Sequence, residues 1–151
     1  MAIPQLVPDF SEFLNLLNSA GVEYLLVGGY AVGIHGYVRA TGDLDIWIRI
    51  SPGNARATET VLRQFGFAGP GLSEALFLEQ NSVIWMGLPP VRLKVITSIS
   101  GVDFDECYPE RMTVRIDGMD VPVISLDRLR QNKRAAGRAR DLADLDNLPL
   151  A

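Results

Sequence analysis

Two carboxylates two residues apart, Asp43 and Asp45, sit at the head of an apolar run, Leu44 to Ile50. The run alternates as a strand does, which predicts Leu44, Ile46, Ile48 and Ile50 on a core face and Asp43, Asp45, Trp47 and Arg49 on the other. A two-residue step holds the aspartate Cα atoms about 6.5–7 Å apart on one side. Like charges that close repel, more so when partly buried. A cation between them removes the cost, and Mg²⁺ suits an all-oxygen site. Upstream, the short apolar run Tyr24 to Val27 stops at Gly28-Gly29, and a small-residue helical stretch follows from Tyr30 to about Gly36. Glycines let a chain turn sharply and let another group approach. A helix starting there points free N–H groups at the turn, where an anion binds. Phosphate at Gly28 and Gly29, facing a metal on Asp43 and Asp45, is the arrangement phosphoryl transfer requires.

The elements around this stretch read as follows. Asp9 with Glu12 three residues on is a capping-box pattern opening a helix, with Phe10, Phe13, Leu14 and Leu17 on its inner face and Gly21 at its end. Ser51 and Pro52 open a second helix, with Thr58, Val61, Leu62 and Phe65 inside and Gly66 closing it. Residues 68–80 contain Gly-Pro-Gly and read as a loop with a short irregular element. Ser82 to Met86 and Val91 to Ile96 are strands about a turn at Gly87 to Pro90. Asp103 to Glu110 is a short helix, and Asp117-Gly118 joins Met112–Ile116 to Met119–Ile124 as a hairpin. Ser125 caps a last helical region, residues 125–148, that Gly137 interrupts and residues 138–148 resume. The order predicts an α+β fold in which helices flank a mixed sheet, in one domain spanning 1–151.

Strand, Gly-Gly, helix and then Arg39-x-Thr41-x-Asp43-Leu44-Asp45 resembles the nucleotidyltransferase fold of the DNA polymerase β superfamily. More narrowly, it resembles small bacterial proteins of the AbiEii and minimal-nucleotidyltransferase toxin–antitoxin types. The closing segment, Asn132-Lys133-Arg134 through Arg140-Asp141-Leu142-Ala143-Asp144, resembles the family's end, where a lysine and an acidic residue face the nucleotide. The resemblance implies Asp43 and Asp45 as catalytic metal ligands for Mg²⁺. Gly28, Gly29, Arg39, Thr41 and Lys133 are then contacts to an NTP, the Arg39 fork suiting a phosphate oxygen. The implied reaction moves an NMP group onto a hydroxyl of a protein or RNA acceptor, with a toxin or antitoxin as partner. One residue departs from the pattern. Relatives carry a third carboxylate on a later strand, and the matching position here is Lys94. With Arg92 and Ile96 it shares a strand face turned towards the aspartates, where it would pair with Asp43 or Asp45 and compete with a metal. Glu79 or Asp103 could supply the missing acid from a loop. The alternative to an enzyme is therefore a pseudoenzyme kept as a binding partner, with weak Mg²⁺ affinity.

Composition narrows the setting. The chain has 151 residues, 48% of them hydrophobic, and no apolar run near the length of a membrane span. Its start, MAIPQLVPDF, lacks the basic and apolar regions of a secretory leader. One cysteine, Cys107, and one histidine, His35, fit a cytoplasmic setting and make a zinc site a poor expectation. The net charge is −4, yet six of the fourteen basic residues fall between Arg128 and Arg140, a stretch without an acid. Such a patch attracts phosphates, and an RNA-binding surface is a further reading of it. His35 is read as a packing or hydrogen-bonding residue and Trp47 as a core one.

Overall fold

The computed structural model describes residues 6–150. The reading of the first residues, and the ends of the 1–151 span, lie outside that range. Phe10, Phe13, Leu14 and Leu17 are buried along helix α1 (Pro8–Ser19), as their spacing predicts. Its start differs from expectation. Val7 is the N-cap, without a side-chain cap bond, and Pro8 occupies the first turn. Proline has no N–H to lose and its ring presets helical φ, so the helix begins ahead of Asp9, which interacts with the helix dipole instead. In α3 (Pro52–Gln64) the expected cap is present, Ser51 accepting a hydrogen bond from the Asn54 N–H.

Six strands form one mixed sheet. They are β1 (Tyr24–Val27), β2 (Asp43–Ile48), β3 (Val83–Leu88), β4 (Val91–Ile96), β5 (Met112–Ile116) and β6 (Met119–Val123), in the order β3-β4-β2-β1-β6-β5. Strand β2 lies inside it, antiparallel to β1 and parallel to β4. Leu44, Ile46 and Ile48 are fully buried, as the alternation requires of the core face. The antiparallel β1–β2 pairing decides where the site lies. It sets the last residue of β1, Val27, opposite Asp45, so the glycine pair that follows emerges beside the aspartates.

Helix α2 (Gly28–Ile34) starts at the glycine pair itself, two residues earlier than its composition suggests. Strand β3 runs on through Gly87 and Leu88, so the turn to β4 is only Pro89-Pro90. Asp117 and Gly118, both at positive φ, make the tight turn between β5 and β6. A short helix α4 (Phe104–Cys107) continues into a 3₁₀ turn, and another 3₁₀ turn covers Glu74–Leu78. Helices α5 (Leu126–Ala136) and α6 (Ala139–Asn147) pack together, hinged at Gly137, which is left-handed at φ 65°.

Trp47 is 1% exposed, donates its indole N–H to the Thr97 carbonyl at 3.3 Å and packs edge-on against Phe104. It is a core residue. A nitrogen of His35 bonds the Ile124 carbonyl at 2.7 Å, tying the end of α2 to the end of β6. Cys107 is buried, and burial pushes its thiol up to about 11. No helix among the described residues is long and apolar enough to cross a membrane.

Candidate active site

The alternation along β2 sends Asp43 and Asp45 to the face where α2 begins. A cavity of about 220 Å³ opens there, and Gly28, Gly29, Arg39, Thr41, Asp43, Asp45, Lys94 and Lys133 all line it. Sequence positions spread over more than a hundred residues thus meet at one place. Trp85, Arg92, Arg138 and Arg140 complete the wall.

The glycines are there for closeness. Gly28 has φ 69°, and a Cβ on it would collide with the Asp45 carboxylate. A Cβ on Gly29 would stand 2.6 Å from the Thr41 hydroxyl and 3.2 Å from an Arg39 nitrogen. Each glycine accommodates residues of the Arg39–Asp45 segment, and only glycine combines that contact with the backbone turn at position 28. Thr41 donates to the backbone carbonyl of Asp43 at 3.3 Å, which fixes the approach to β2.

The two aspartates have different surroundings. Parallel pairing of β2 with β4 puts Asp43 opposite Arg92 and Asp45 opposite Lys94. Both Asp43 oxygens accept from Arg92, at 2.6 and 3.2 Å. Oδ1 of Asp45, in contrast, is buried without a hydrogen-bond partner. Burial pushes the Asp45 carboxyl up from its ordinary range. The Lys94 ammonium pulls it back, and the Asp43 charge adds to the rise.

Lys94 stands where the sequence places it, on the strand beside the aspartates, but it does not form the expected ion pair. Among the described residues no carboxylate lies within ion-pair distance of it. Its ammonium instead lies 5.0 Å from the centre of the Trp85 ring, and the Arg92 guanidinium lies 4.2 Å from the same ring. An indole face attracts cations and leaves them partly solvated. The carboxylate that is neutralised is Asp43, and Arg92 does it. That role was legible in principle, since Arg92 shares the strand face of Lys94.

Arg39 and Lys133 have partners that the sequence did not name. Both line the cavity, but their cationic ends hold carboxylates of α6. Arg39 grips Asp144 with two bonds, at 2.7 and 2.9 Å. Lys133, 5% exposed, pairs with Asp141 at 3.3 Å and Asp144 at 3.1 Å. Arg138 bonds Asp141 at 2.7 Å, and Asp141 in turn accepts from the Arg138 backbone N–H, capping α6. A buried cation is costly unless paired, and α6 supplies the partners. Burial alone would raise Asp141 and Asp144. Bonds from Arg138 and Lys133 to Asp141, and from Arg39 and Lys133 to Asp144, outweigh it and hold both carboxyls below their ordinary range. Sequence reasoning assigned a role to the lysine and quoted these aspartates in the closing motif without pairing them to it, although a three-residue step on a helix already sets them on one face.

A metal finds a poor donor set here. The orphaned Asp45 oxygen would welcome a cation, but Asp43 is held by Arg92 and the residue opposite Asp45 on β4 is itself a cation, Lys94. Neither proposed substitute lines the cavity: Glu79 is exposed, and Asp103 borders a separate pocket beside Trp47. No group of three or more His, Cys, Asp or Glu among the described residues could hold a metal. Mg²⁺ demands near-octahedral oxygen coordination and sheds its waters reluctantly, so the residues do not fit it.

No protein-family model matches the chain. No curated protein matches it in sequence. Solved structures do. The chain is similar to a candidate nucleotidyltransferase from Thermotoga maritima, with a TM-score of 0.61 and 16% identity over 94% of each chain. It is also similar to an antigenic nucleotidyltransferase-like protein from Paracoccidioides brasiliensis, with a TM-score of 0.54 and 17% identity over 92% of this chain and 73% of that one. At such identities the likeness concerns architecture. The narrower resemblance to toxin–antitoxin proteins stays with the sequence motifs. The expected α+β fold is present, and it is a nucleotidyltransferase-like fold.

Proposed function

We propose that this chain is a nucleotide-binding protein on a nucleotidyltransferase-like fold in which metal-dependent NMP transfer has been lost. The observation that carries this reading is the two-bonded grip of Arg92 on Asp43, beside a lysine at the position of the third carboxylate. In-line displacement at a phosphoryl centre depends on cations that clamp the reacting oxygens and on a base for the attacking hydroxyl. When bound, Mg²⁺ would supply the first from Asp43 and Asp45. Here Asp43 is occupied and Asp45 is crowded against Gly28. Lys94, a cation, is no substitute for a carboxylate base beside the acceptor hydroxyl. The remaining machinery serves binding: Arg92, Lys94 and Arg140 for phosphate oxygens, and the close-packed glycine turn for shape.

A role as binding partner, such as one half of a toxin–antitoxin pair, accompanies this reading. Its support is the edge strand β3, which leaves Val83, Trp85 and Leu88 at 42%, 46% and 81% exposure. Unpaired edges with apolar side chains invite another chain. The test of the main reading is transfer of labelled NMP from each NTP to protein and RNA acceptors, with Mg²⁺ present. The unmodified chain should give no label above background, and Lys94→Asp combined with Arg92→Ala should give measurable, metal-dependent transfer. Transfer by the unmodified chain, abolished by Asp45→Asn, would show that the reading is wrong.

A further inference from the structure

The cavity's charge inverts what two aspartates on a strand suggest. Six cationic side chains line it, Arg39, Arg92, Lys94, Lys133, Arg138 and Arg140. Against them stand Asp43 and Asp45 in the wall and Asp141 and Asp144, buried, behind it. Six against four leaves the site formally positive with no metal in it. The excess is also localised. Arg39, Lys133 and Arg138 are held by the α6 aspartates, whereas Lys94 and Arg140 have no ion-pair partner among the described residues. Arg92 is shared between Asp43 and the face of Trp85.

We infer that the cavity binds the polyphosphate chain of a nucleoside triphosphate without a divalent ion, Arg92 and Lys94 of β4 doing the charge neutralisation that a metal would otherwise do. This rests on the nucleotide-binding reading above and specifies the ionic form of the ligand. A metal-free triphosphate brings three to four negative charges to a site with excess positive charge. Mg²⁺ complexation masks two of those charges and brings a cation towards Arg92 and Lys94, which repel it. Binding is therefore weakened by Mg²⁺, the reverse of what a metal-dependent transferase shows.

The device is built on strand pairing. Trp85 lies opposite Lys94 across the β3–β4 hairpin, and β4 in turn sets Arg92 and Lys94 opposite Asp43 and Asp45. The two cations rest between an indole face on one side and carboxylates on the other. Moving Lys94 onto a phosphate oxygen exchanges a cation–π contact for a charge-assisted hydrogen bond, while Arg92 keeps Nε and Nη2 on Asp43 and turns its Nη1 donors to the ligand. Trp85 therefore reports binding, because it is half exposed, whereas the chain's other tryptophan, Trp47, is buried.

The experiment follows tryptophan fluorescence of the full chain during titration with inorganic tripolyphosphate and with ATP, each in EDTA and again with excess Mg²⁺. Calorimetry on the same samples supplies affinities. A saturable signal in EDTA is expected for both ligands, absent from Trp85→Phe although that variant still gives calorimetric heat, with affinity falling about tenfold when Mg²⁺ is added. Arg92→Gln/Lys94→Gln should lose the metal-free binding while keeping the circular dichroism spectrum of the parent. Lys94→Asp should reverse the sign of the Mg²⁺ effect. Binding of ATP but not tripolyphosphate would overturn recognition of the polyphosphate chain. Binding only with Mg²⁺, or unchanged in the Arg92/Lys94 double variant, would overturn the inference. These failures differ from those of the parent reading, which falls if the unmodified chain transfers nucleotide or binds ATP neither with nor without Mg²⁺.

Discussion

Asp144 lies 1% exposed between Arg39 and Lys133, and it answers a question of charge that β2 alone does not raise. The loop before β2 and the end of α5 both bring cations to the cavity. Without a buried acid between them, the two cations would repel each other. Asp144→Asn removes the shared charge and leaves a buried ammonium half paired. We expect a loss of about 3 kcal/mol at neutral pH, the lower end of the cost of breaking a buried pair. The sign with pH follows from the depressed carboxyls. In the folded chain Asp141 and Asp144 ionise below the ordinary 3.8, so they bind fewer protons than in the unfolded chain. The stability they contribute is complete above that value and is lost as pH falls through 3.8 towards their folded values. Urea unfolding of the parent should therefore weaken over this acid window, while Asp144→Asn should show a shallower slope there. Parallel profiles would mean that Asp144 is not the linked group. The sequence marked Lys133 but left its partners unassigned, because acids on a helix ordinarily face water and only the hinge at Gly137 turns this pair inward.

Among the elements, the strand pairings decide most. The apolar pattern located β1, β2 and β4 to within two residues, whereas the antiparallel β1–β2 and parallel β2–β4 steps are seen only in the structure. The start of α2 was not. A glycine pair is a weak helix former, so composition assigned it to a turn, whereas the collision partner that makes position 28 a glycine becomes visible only in three dimensions. Gly28→Ala should bring that out. Left-handed φ costs an L-residue about 1–2 kcal/mol, and the new methyl must also push Asp45 aside. We expect a midpoint decrease in thermal unfolding equivalent to about 2 kcal/mol, together with weaker polyphosphate binding. Gly53→Ala, in α3 with open space around it, is the control and should be neutral or stabilising. Equal effects at both positions would detach Gly28 from the site.

Over the whole molecule, the basic run from Arg128 to Arg140 promised a surface patch and turns out largely to be internal wiring. Arg128 pairs with Glu106 and Glu110, Arg130 donates to carbonyls of Leu145 and Pro149, and Lys133 and Arg138 hold the α6 acids. Of the six, Arg134, Arg138 and Arg140 remain exposed, and the last two line the cavity. Charge counted along a chain cannot distinguish a patch from a network, because the partners lie on other elements. The same limit hid the cavity's positive excess: two aspartates are visible in sequence, whereas the six cations around them come from the stretch before β2, from β4 and from the α5–α6 region. The most direct measurement is the binding of Mn²⁺, a paramagnetic stand-in for Mg²⁺, followed by the intensity of the free-ion resonance in the nucleotide-free protein. The cavity described here predicts that the free signal stays undiminished by the unmodified chain at concentrations where Arg92→Ala/Lys94→Asp removes it. Tight uptake by the unmodified chain, abolished by Asp45→Asn, would show instead a working metal site and contradict the account.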